Sequence, residues 1–167
     1  WESRLSSHFT FMFDELMKGG GVGSNYSHDY LVQTEQLTTP VDLRIACDAL
    51  HPDLDEVQPD LASAGDITLL VTDSREGWVR ALRVLINTFT GQAGTEPVRL
   101  TVDVSAVRER GKPLKGFGGT ASGPGPLVDA LRRCAAILNT AVGRRLTGLE
   151  AMRIDHAIAQ CVVAGNV

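Results

Sequence analysis

The chain has 167 residues, 43% of them hydrophobic, which fits one globular domain with its own core. Twenty acidic against sixteen basic residues give a net charge of −4, which disfavours a nucleic-acid partner or an anionic membrane surface. Three widely spaced cysteines without a C-x-x-C pair indicate neither a disulfide framework nor a zinc site, and they predict a reducing, cytoplasmic location. No stretch reaches the roughly 18 apolar residues of a membrane span.

The first predicted element is a helix over residues 5–18, because apolar residues recur at helical spacing and Gly19 follows them. A glycine-rich turn then leads into Ser24, Asn25 and Ser27, at the start of a predicted strand. The order of helix, glycines and strand is the reverse of a nucleotide-binding loop. Two interpretations stay open: the glycines let a substrate lie on the start of the strand, or they form a flexible turn.

Residues 26–72 are predicted to be an insertion with irregular connections, because prolines and acidic residues interrupt any regular pattern. Only two short strands are predicted within it, at 41–46 and 67–71. The acidic residues between them lack the alternating spacing and central glycine of a calcium loop. We therefore expect a solvated acidic segment between the two strands.

The clearest helix of the sequence follows Asp73 or Ser74, either of which can cap it, and it ends at Gly91. Arginines occupy its predicted outer side, where a charged, solvated face is the expected role. Alternating apolar and polar residues over 98–104 then predict a half-buried strand. The apolar face of the helix consists of Trp78, Val79, Leu82, Leu85, Ile86 and Phe89.

A glycine-rich loop over 115–126 stands between this strand and the next helix. Its glycines allow a ligand close to the backbone N–H groups, and the helix start at Pro124 and Pro126 favours an anion. The loop has neither the lysine of a Walker motif nor the acidic ribose partner of a dinucleotide fingerprint. Four basic residues lie directly before or at the start of the loop and suit a triphosphate: Arg108, Arg110, Lys112 and Lys115. A glycine-rich surface turn and a solvated basic turn stay open as alternatives.

Two more helices complete the chain, one over about 125–142 and one that begins at a capping box formed by Thr147 and Glu150. Cys134 and Cys161 fall on the apolar faces of these helices, so we predict that they are core residues and not redox thiols. The chain starts without a methionine and stops directly after a helical run. We therefore expect it to be a piece of a longer protein.

Four stretches of the sequence together resemble one enzyme family. They are FMFDELMKGGGVG at 11–23, DSREGWV at 73–79, GFGGTASGP at 116–124 and VVAGNV at 162–167. In the same order, they are similar to stretches of the monomeric adenosylcobalamin-dependent ribonucleoside-triphosphate reductases, also called class II ribonucleotide reductases. The resemblance is poorest over residues 26–70.

The resemblance implies an α/β fold, the ten-stranded α/β barrel of the ribonucleotide reductases, of which this chain would be the N-terminal portion. Residues 1–25 would contain the first barrel helix and the start of the first strand. Residues 26–97 would be a helical and irregular insertion that contributes to the effector site. Residues 98–167 would contain the specificity loop and the barrel helices that follow it.

The resemblance also implies a function for the parent enzyme. Such an enzyme reduces ribonucleoside triphosphates to 2′-deoxyribonucleoside triphosphates by radical chemistry that adenosylcobalamin initiates. A deoxynucleoside triphosphate is the effector, a thioredoxin-type protein is the reductant, and the parent would be a cytoplasmic monomer. The implied substrate-binding residues are Ser24, Asn25 and Ser27, and the implied effector-binding residues are Arg108, Lys112, Lys115, Gly118, Gly119 and Ser122.

The family's catalytic cysteine motif, of the Asn-Pro-Cys-Gly-Glu type, does not occur in this sequence. We therefore assign no catalytic residue and no metal ligand within the chain. We expect the fragment to be inactive alone, and we assign none of its residues to the cobalamin site. A stand-alone nucleotide-binding regulatory module without catalysis is the alternative function. A purely structural remnant that binds nothing is a further alternative.

Overall fold

The computed structural model describes residues 4–48, 66–91, 96–114 and 119–164, and these residues form five α-helices and three β-strands. In chain order the elements are α1 (Leu5–Met17), α2 (His28–Leu31), β1 (Val41–Ala46), β2 (Ile67–Leu70), α3 (Arg75–Phe89), β3 (Val98–Asp103), α4 (Gly125–Thr140) and α5 (Gly148–Ala164).

The three strands form one parallel sheet in the order β1-β3-β2. Val41 of β1 pairs with Val98 of β3, and Ile67 of β2 pairs with Leu100. Parallel neighbours need a crossover connection, and α3 provides it between β2 and β3. The central strand β3 is fully buried at Leu100 and Val102. The carboxyl ends of β2 and β3 therefore meet at the same edge of the sheet.

The helices enclose one hydrophobic core with the sheet. Helix α1 packs against α3 and α5, α4 packs against α5, and α3 contacts both α4 and β3. The apolar face predicted for α3 is buried along its whole length, from Trp78 to Phe89, which confirms that prediction. In the described part of the chain, no helix is both long and apolar enough to cross a membrane.

Most of the predicted elements are confirmed within one or two residues, and one is wrong. Residues 20–27 are extended in part but form no strand, because they pair with none of β1, β2 and β3 among the described residues. A short helix, α2, follows them where the sequence pattern predicted irregular structure. A strand needs a hydrogen-bonding neighbour, and local sequence carries no information about whether one is present.

The predicted capping box at the start of α5 is confirmed. The backbone N–H of Thr147 donates to Glu150 Oε2 at 2.9 Å, and the backbone N–H of Glu150 donates to Thr147 Oγ1 at 3.3 Å. The guanidinium of Arg144 contacts both carboxylate oxygens, at 2.7 and 2.8 Å. These contacts, led by the hydrogen bonds from Arg144, lower the pKa of Glu150 to about 2.

Replacing Glu150 with glutamine tests the contribution of this charge, because glutamine can still complete a capping box. We expect Glu150→Gln to reduce the free energy of unfolding at pH 7 by about 0.5–1 kcal/mol, since Arg144 is partly exposed. The folded-state pKa is depressed, so the contribution is present above the unfolded pKa and is lost as pH falls from about 4.5 to about 2. Urea unfolding of both proteins across this pH range should show the difference shrinking; a constant difference would contradict the assignment.

Candidate functional site

A pocket of about 240 Å³ lies between the start of α3 and the loop that follows β3. We call it the α3 pocket. It is at the carboxyl edge of the parallel sheet, where ligands bind in open α/β folds. Its lining consists of Asp73, Ser74, Arg75, Trp78, Val107, Arg108, Leu114, Ala121, Ser122 and Gly123.

One wall of the pocket is the first turn of α3. Ser74 is the N-cap residue of this 15-residue helix, and its Oγ accepts a hydrogen bond from the backbone N–H of Gly77 at 3.1 Å. The cap satisfies one of the four free N–H groups at the helix start. The positive end of the helix dipole therefore faces a pocket that contains Arg75 and Arg108, and this combination favours a negatively charged ligand.

The opposite wall is a two-stranded ribbon in which residues 111–114 pair with residues 119–121 of the glycine-rich loop. Backbone hydrogen bonds join Gly111 to Ala121 at 2.9 Å, Lys112 to Ala121 at 2.8 Å and Leu114 to Gly119 at 3.1 Å. Gly119 has a φ of +91°, a left-handed conformation that favours glycine. The ribbon brings Arg108, which precedes it, and Ser122, which follows it, to the same pocket.

An ion pair spans the two walls. Arg108 Nε lies 2.6 Å from Asp73 Oδ2, and both side chains are about one-third exposed. The pair uses the Nε atom, and a guanidinium has four further N–H donors for another acceptor. Arg75 lies beside them and pairs with Asp14 of α1 at 3.2 Å and with Glu76. The pocket thus contains two arginines and one carboxylate, all partly accessible to a ligand.

Trp78 lines the pocket and carries a buried side-chain donor that has no acceptor in the described part of the chain. Its side chain is 2% exposed, and among the described residues its indole Nε1 has no hydrogen-bond acceptor. Leaving a buried donor without an acceptor costs about 1–3 kcal/mol. A ligand with an acceptor group near Nε1 would remove that cost.

The structure brings two of the six predicted effector residues into the α3 pocket, Arg108 and Ser122. Lys112 is on the ribbon but outside the lining, where its ammonium lies 3.7 Å from Glu109. Gly119 shapes the ribbon without lining the pocket. Lys115 and Gly118 lie outside the described residues, so their roles stay predictions.

Sequence reasoning did not assign Asp73, Ser74, Arg75 or Trp78 to a site. It interpreted Asp73 and Ser74 only as helix caps and Trp78 only as a core residue. The signal that could have found them is positional. They follow the carboxyl end of the parallel strand β2, where a helix start and a neighbouring loop converge.

The predicted substrate residues lie elsewhere, on the extended segment before α2. Ser24 is half-buried and donates to Asp155 Oδ2 of α5 at 2.9 Å. Asn25 and Ser27 are exposed, and the Asn25 side chain accepts a hydrogen bond from the Ser27 backbone N–H at 3.0 Å. The Ser24 side chain is therefore already engaged, whereas Asn25 and Ser27 face outward.

Two of the three cysteines are core residues, as predicted. Cys134 is fully buried and Cys161 is 3% exposed. Burial raises the pKa of each thiol to about 12, so both are protonated and poorly reactive near neutral pH. The described residues contain no group of three or more His, Cys, Asp or Glu side chains that could hold a metal ion.

A family model described as "B12-dependent ribonucleotide reductase, insertion domain" matches residues 46–138, more than half of the chain. The chain belongs to the B12-dependent ribonucleotide reductases. The family assignment made from the four sequence stretches is confirmed. Every residue that lines the α3 pocket falls within the matched range of this ribonucleotide reductase insertion domain.

Relatives in the ribonucleotide reductase family match the chain over nearly all its length. A Mycobacterium phage D29 protein, assigned as an adenosylcobalamin-dependent ribonucleoside-triphosphate reductase, is 43% identical over 100% of this chain and 26% of its own length. The Lactobacillus delbrueckii subsp. bulgaricus enzyme named adenosylcobalamin-dependent ribonucleoside-triphosphate reductase is 38% identical over 99% of this chain and 24% of its own. The chain thus spans about a quarter of the length of these reductases.

The fold also matches a solved ribonucleotide reductase. A crystal structure of a B-12 dependent (class II) ribonucleotide reductase superposes with a TM-score of 0.84 and 34% sequence identity. The match covers 99% of this chain and 24% of that structure. The α/β class and the small parallel sheet are those of the class II reductase fold.

Proposed function

We propose that this chain is the effector-binding, regulatory portion of a longer adenosylcobalamin-dependent ribonucleoside-triphosphate reductase. The parent enzyme reduces ribonucleoside triphosphates to 2′-deoxyribonucleoside triphosphates. The α3 pocket binds the deoxynucleoside triphosphate effector. The observation that carries this proposal is the convergence of a helix start, two arginines, a carboxylate and the Trp78 side chain in one pocket of a ribonucleotide reductase insertion domain.

Each group in the α3 pocket suits one part of a nucleotide. The guanidinium of Arg108 and the start of α3 suit the phosphates, because both attract negative charge. The Asp73 carboxylate would repel a phosphate, so it suits a sugar hydroxyl that donates a hydrogen bond. The volume of about 240 Å³ accommodates the sugar and phosphates, and the base extends beyond the lining residues.

The ribbon adds specificity to this arrangement. Lys112 stands on the ribbon outside the pocket lining. In this proposal Lys112 and Lys115 add positive charge toward the end of a triphosphate chain. Ser122 and the backbone near Gly123 line the same wall. In this proposal the ribbon is the specificity loop. Residues 1–25 belong to the start of the barrel, residues 26–97 form the insertion, and residues 98–167 contain the specificity loop and the barrel helices that follow it.

The extended segment before α2 has the substrate role in this proposal. Asn25 and Ser27 face the ribonucleotide, and the parent chain as a whole forms the ten-stranded α/β barrel of which this chain is the N-terminal portion. The parent acts as a cytoplasmic monomer with a thioredoxin-type reductant. The catalytic cysteines lie outside this chain.

The relatives are named for adenosylcobalamin, which supplies the radical chemistry of such enzymes when it is bound. The α3 pocket does not fit this cofactor, because the lining contains no histidine and about 240 Å³ is too small for a corrin macrocycle with its nucleotide tail. We therefore assign no residue of this chain to the cofactor. Its residues bind and position nucleotides.

Equilibrium dialysis of the parent reductase with a radiolabelled deoxynucleoside triphosphate tests the effector assignment. We expect saturable binding that Trp78→Phe weakens about fivefold or more, because phenylalanine keeps the apolar ring and removes the indole N–H. Leu149→Phe, an exposed site on α5, is a control and should bind normally. If Trp78→Phe binds the effector as tightly as the unmodified enzyme, the indole N–H takes no part in effector binding. Absence of saturable binding would contradict the proposed function.

A further inference from the structure

A buried carboxylate, Asp155 of α5, accepts hydrogen bonds from three side chains at one oxygen. Its Oδ2 lies 2.6 Å from Tyr26 Oη, 2.9 Å from Ser24 Oγ and 3.1 Å from His8 Nε2. Asp155 is 3% exposed, and among the described residues nothing donates to its other oxygen, Oδ1. A buried carboxylate is costly unless hydrogen bonds compensate for the lost hydration, so this cluster has a strong preference for one arrangement.

The cluster joins three separate parts of the chain. His8 is on α1, Asp155 is on α5, and Ser24 and Tyr26 are on the extended segment between α1 and α2. Burial, and then the hydrogen bond to Asp155, raises the pKa of the Tyr26 hydroxyl, which keeps it a donor. The segment forms no backbone hydrogen-bond ladder with β1, β2 or β3. The side-chain hydrogen bonds to Asp155 therefore contribute strongly to fixing its position.

The spacing of the donors decides which side chains face outward. In an extended segment successive side chains point to opposite sides. Ser24 and Tyr26 are half-buried against α5, and Asn25 and Ser27 are exposed. A slip of one residue would reverse this order and turn Asn25 toward Asp155.

A second contact limits movement of the same segment. A Cβ atom on Gly148, the first residue of α5, would lie 2.6 Å from the carbonyl oxygen of Tyr26. The backbone of the segment therefore lies directly against the start of α5. Asp155 then holds the side chains of the segment two helical turns further along the same helix.

We infer that Asp155 is a positioning residue. It holds the extended segment before α2 in the register that presents Asn25 and Ser27 to the ribonucleotide substrate. Asp155 does not touch the substrate in this arrangement, because it is buried on the opposite side of the segment. The inference rests on the proposed function of that segment.

Asp155→Asn in the parent reductase tests the inference, since asparagine keeps the shape and removes the charge. We expect KM for the ribonucleoside triphosphate to rise about tenfold or more, because three hydrogen bonds to a charged acceptor weaken together. We expect the effector dissociation constant to stay within about twofold, because the α3 pocket shares no residue with the cluster. Asp129→Asn makes the same chemical change on the exposed face of α4 and should leave both constants unchanged.

Tyr26→Phe keeps the test decisive if Asp155→Asn does not fold. It removes one hydroxyl and one of the three hydrogen bonds, and we expect a rise in KM of about threefold or more. A normal KM in a folded Asp155→Asn or Tyr26→Phe enzyme would overturn the inference and leave the effector site intact. Absence of ribonucleotide reduction by the unmodified parent would contradict the proposed function instead.

Discussion

Arg108→Ala in the parent reductase should weaken effector binding about 10- to 100-fold and leave turnover without effector near normal. The expected loss corresponds to about 1.5–3 kcal/mol, the usual contribution of a hydrogen bond to a charged group. The reason is geometric, because Arg108 is held at the pocket by Asp73 and has further N–H donors for a phosphate. The measurement is substrate selection in the presence of increasing deoxynucleoside triphosphate, together with the basal rate.

Two further variants sharpen this experiment. Arg83→Ala removes an exposed arginine from the outer side of α3, away from the α3 pocket. It should change neither the effector dissociation constant nor the basal turnover rate. Lys112→Ala should weaken effector binding less than Arg108→Ala, since Lys112 does not line the pocket. Equal loss of basal turnover and effector response in Arg108→Ala would show that the residue supports the fold or the chemistry and not the effector.

Gly77→Ala should destabilise the chain strongly at the start of α3. A Cβ at this position would lie 2.3 Å from both the carbonyl oxygen and the Oγ1 of Thr72, closer than real side-chain contacts allow. One of these atoms is backbone, so the clash cannot be relieved by a rotamer change. We expect a loss of about 2–3 kcal/mol in the free energy of unfolding, measured by urea denaturation of the chain.

Gly21→Ala is the matched control, because no atom lies within 4 Å of the Cβ position there. It should unfold at nearly the same urea concentration as the unmodified chain. If Gly77→Ala is equally stable, then the Thr72 backbone can move, and the start of α3 is less rigid than the structure indicates. Weakened effector binding by Gly77→Ala would in addition connect this turn to the pocket.

The sequence predicted the elements of this fold well where local physics decides them. The helix face from Trp78 to Phe89 and the capping box at Thr147 follow from spacing and from side-chain chemistry. The predicted strand after Gly19 failed because pairing is not a local property. The parallel order of the three strands likewise depends on contacts between residues about 30 to 60 positions apart.

The candidate site was predicted only in part for the same reason. Arg108 and Ser122 could be proposed from a basic cluster beside glycines and from the family resemblance. Asp73 and Trp78 could not, because a cap and a core tryptophan have ordinary structural roles in their own helix. Only the fold places the start of α3 opposite the ribbon. There the cap residue and the core tryptophan also line the candidate ligand pocket. Asp155 is similar, since its three partners are about 130 to 147 residues away in sequence.

The Arg75 guanidinium can interact either with a ligand in the α3 pocket or with Asp14 of α1. It lines the α3 pocket, and it also pairs with Asp14 near the end of α1. Asp14 in turn contacts Lys18 at 2.6 Å, directly before the glycine-rich segment begins. An anion that draws Arg75 into the pocket would leave Asp14 to Lys18 alone. Occupancy of the pocket would then change the balance of charge around Asp14 and Lys18, directly before the segment that carries Asn25 and Ser27.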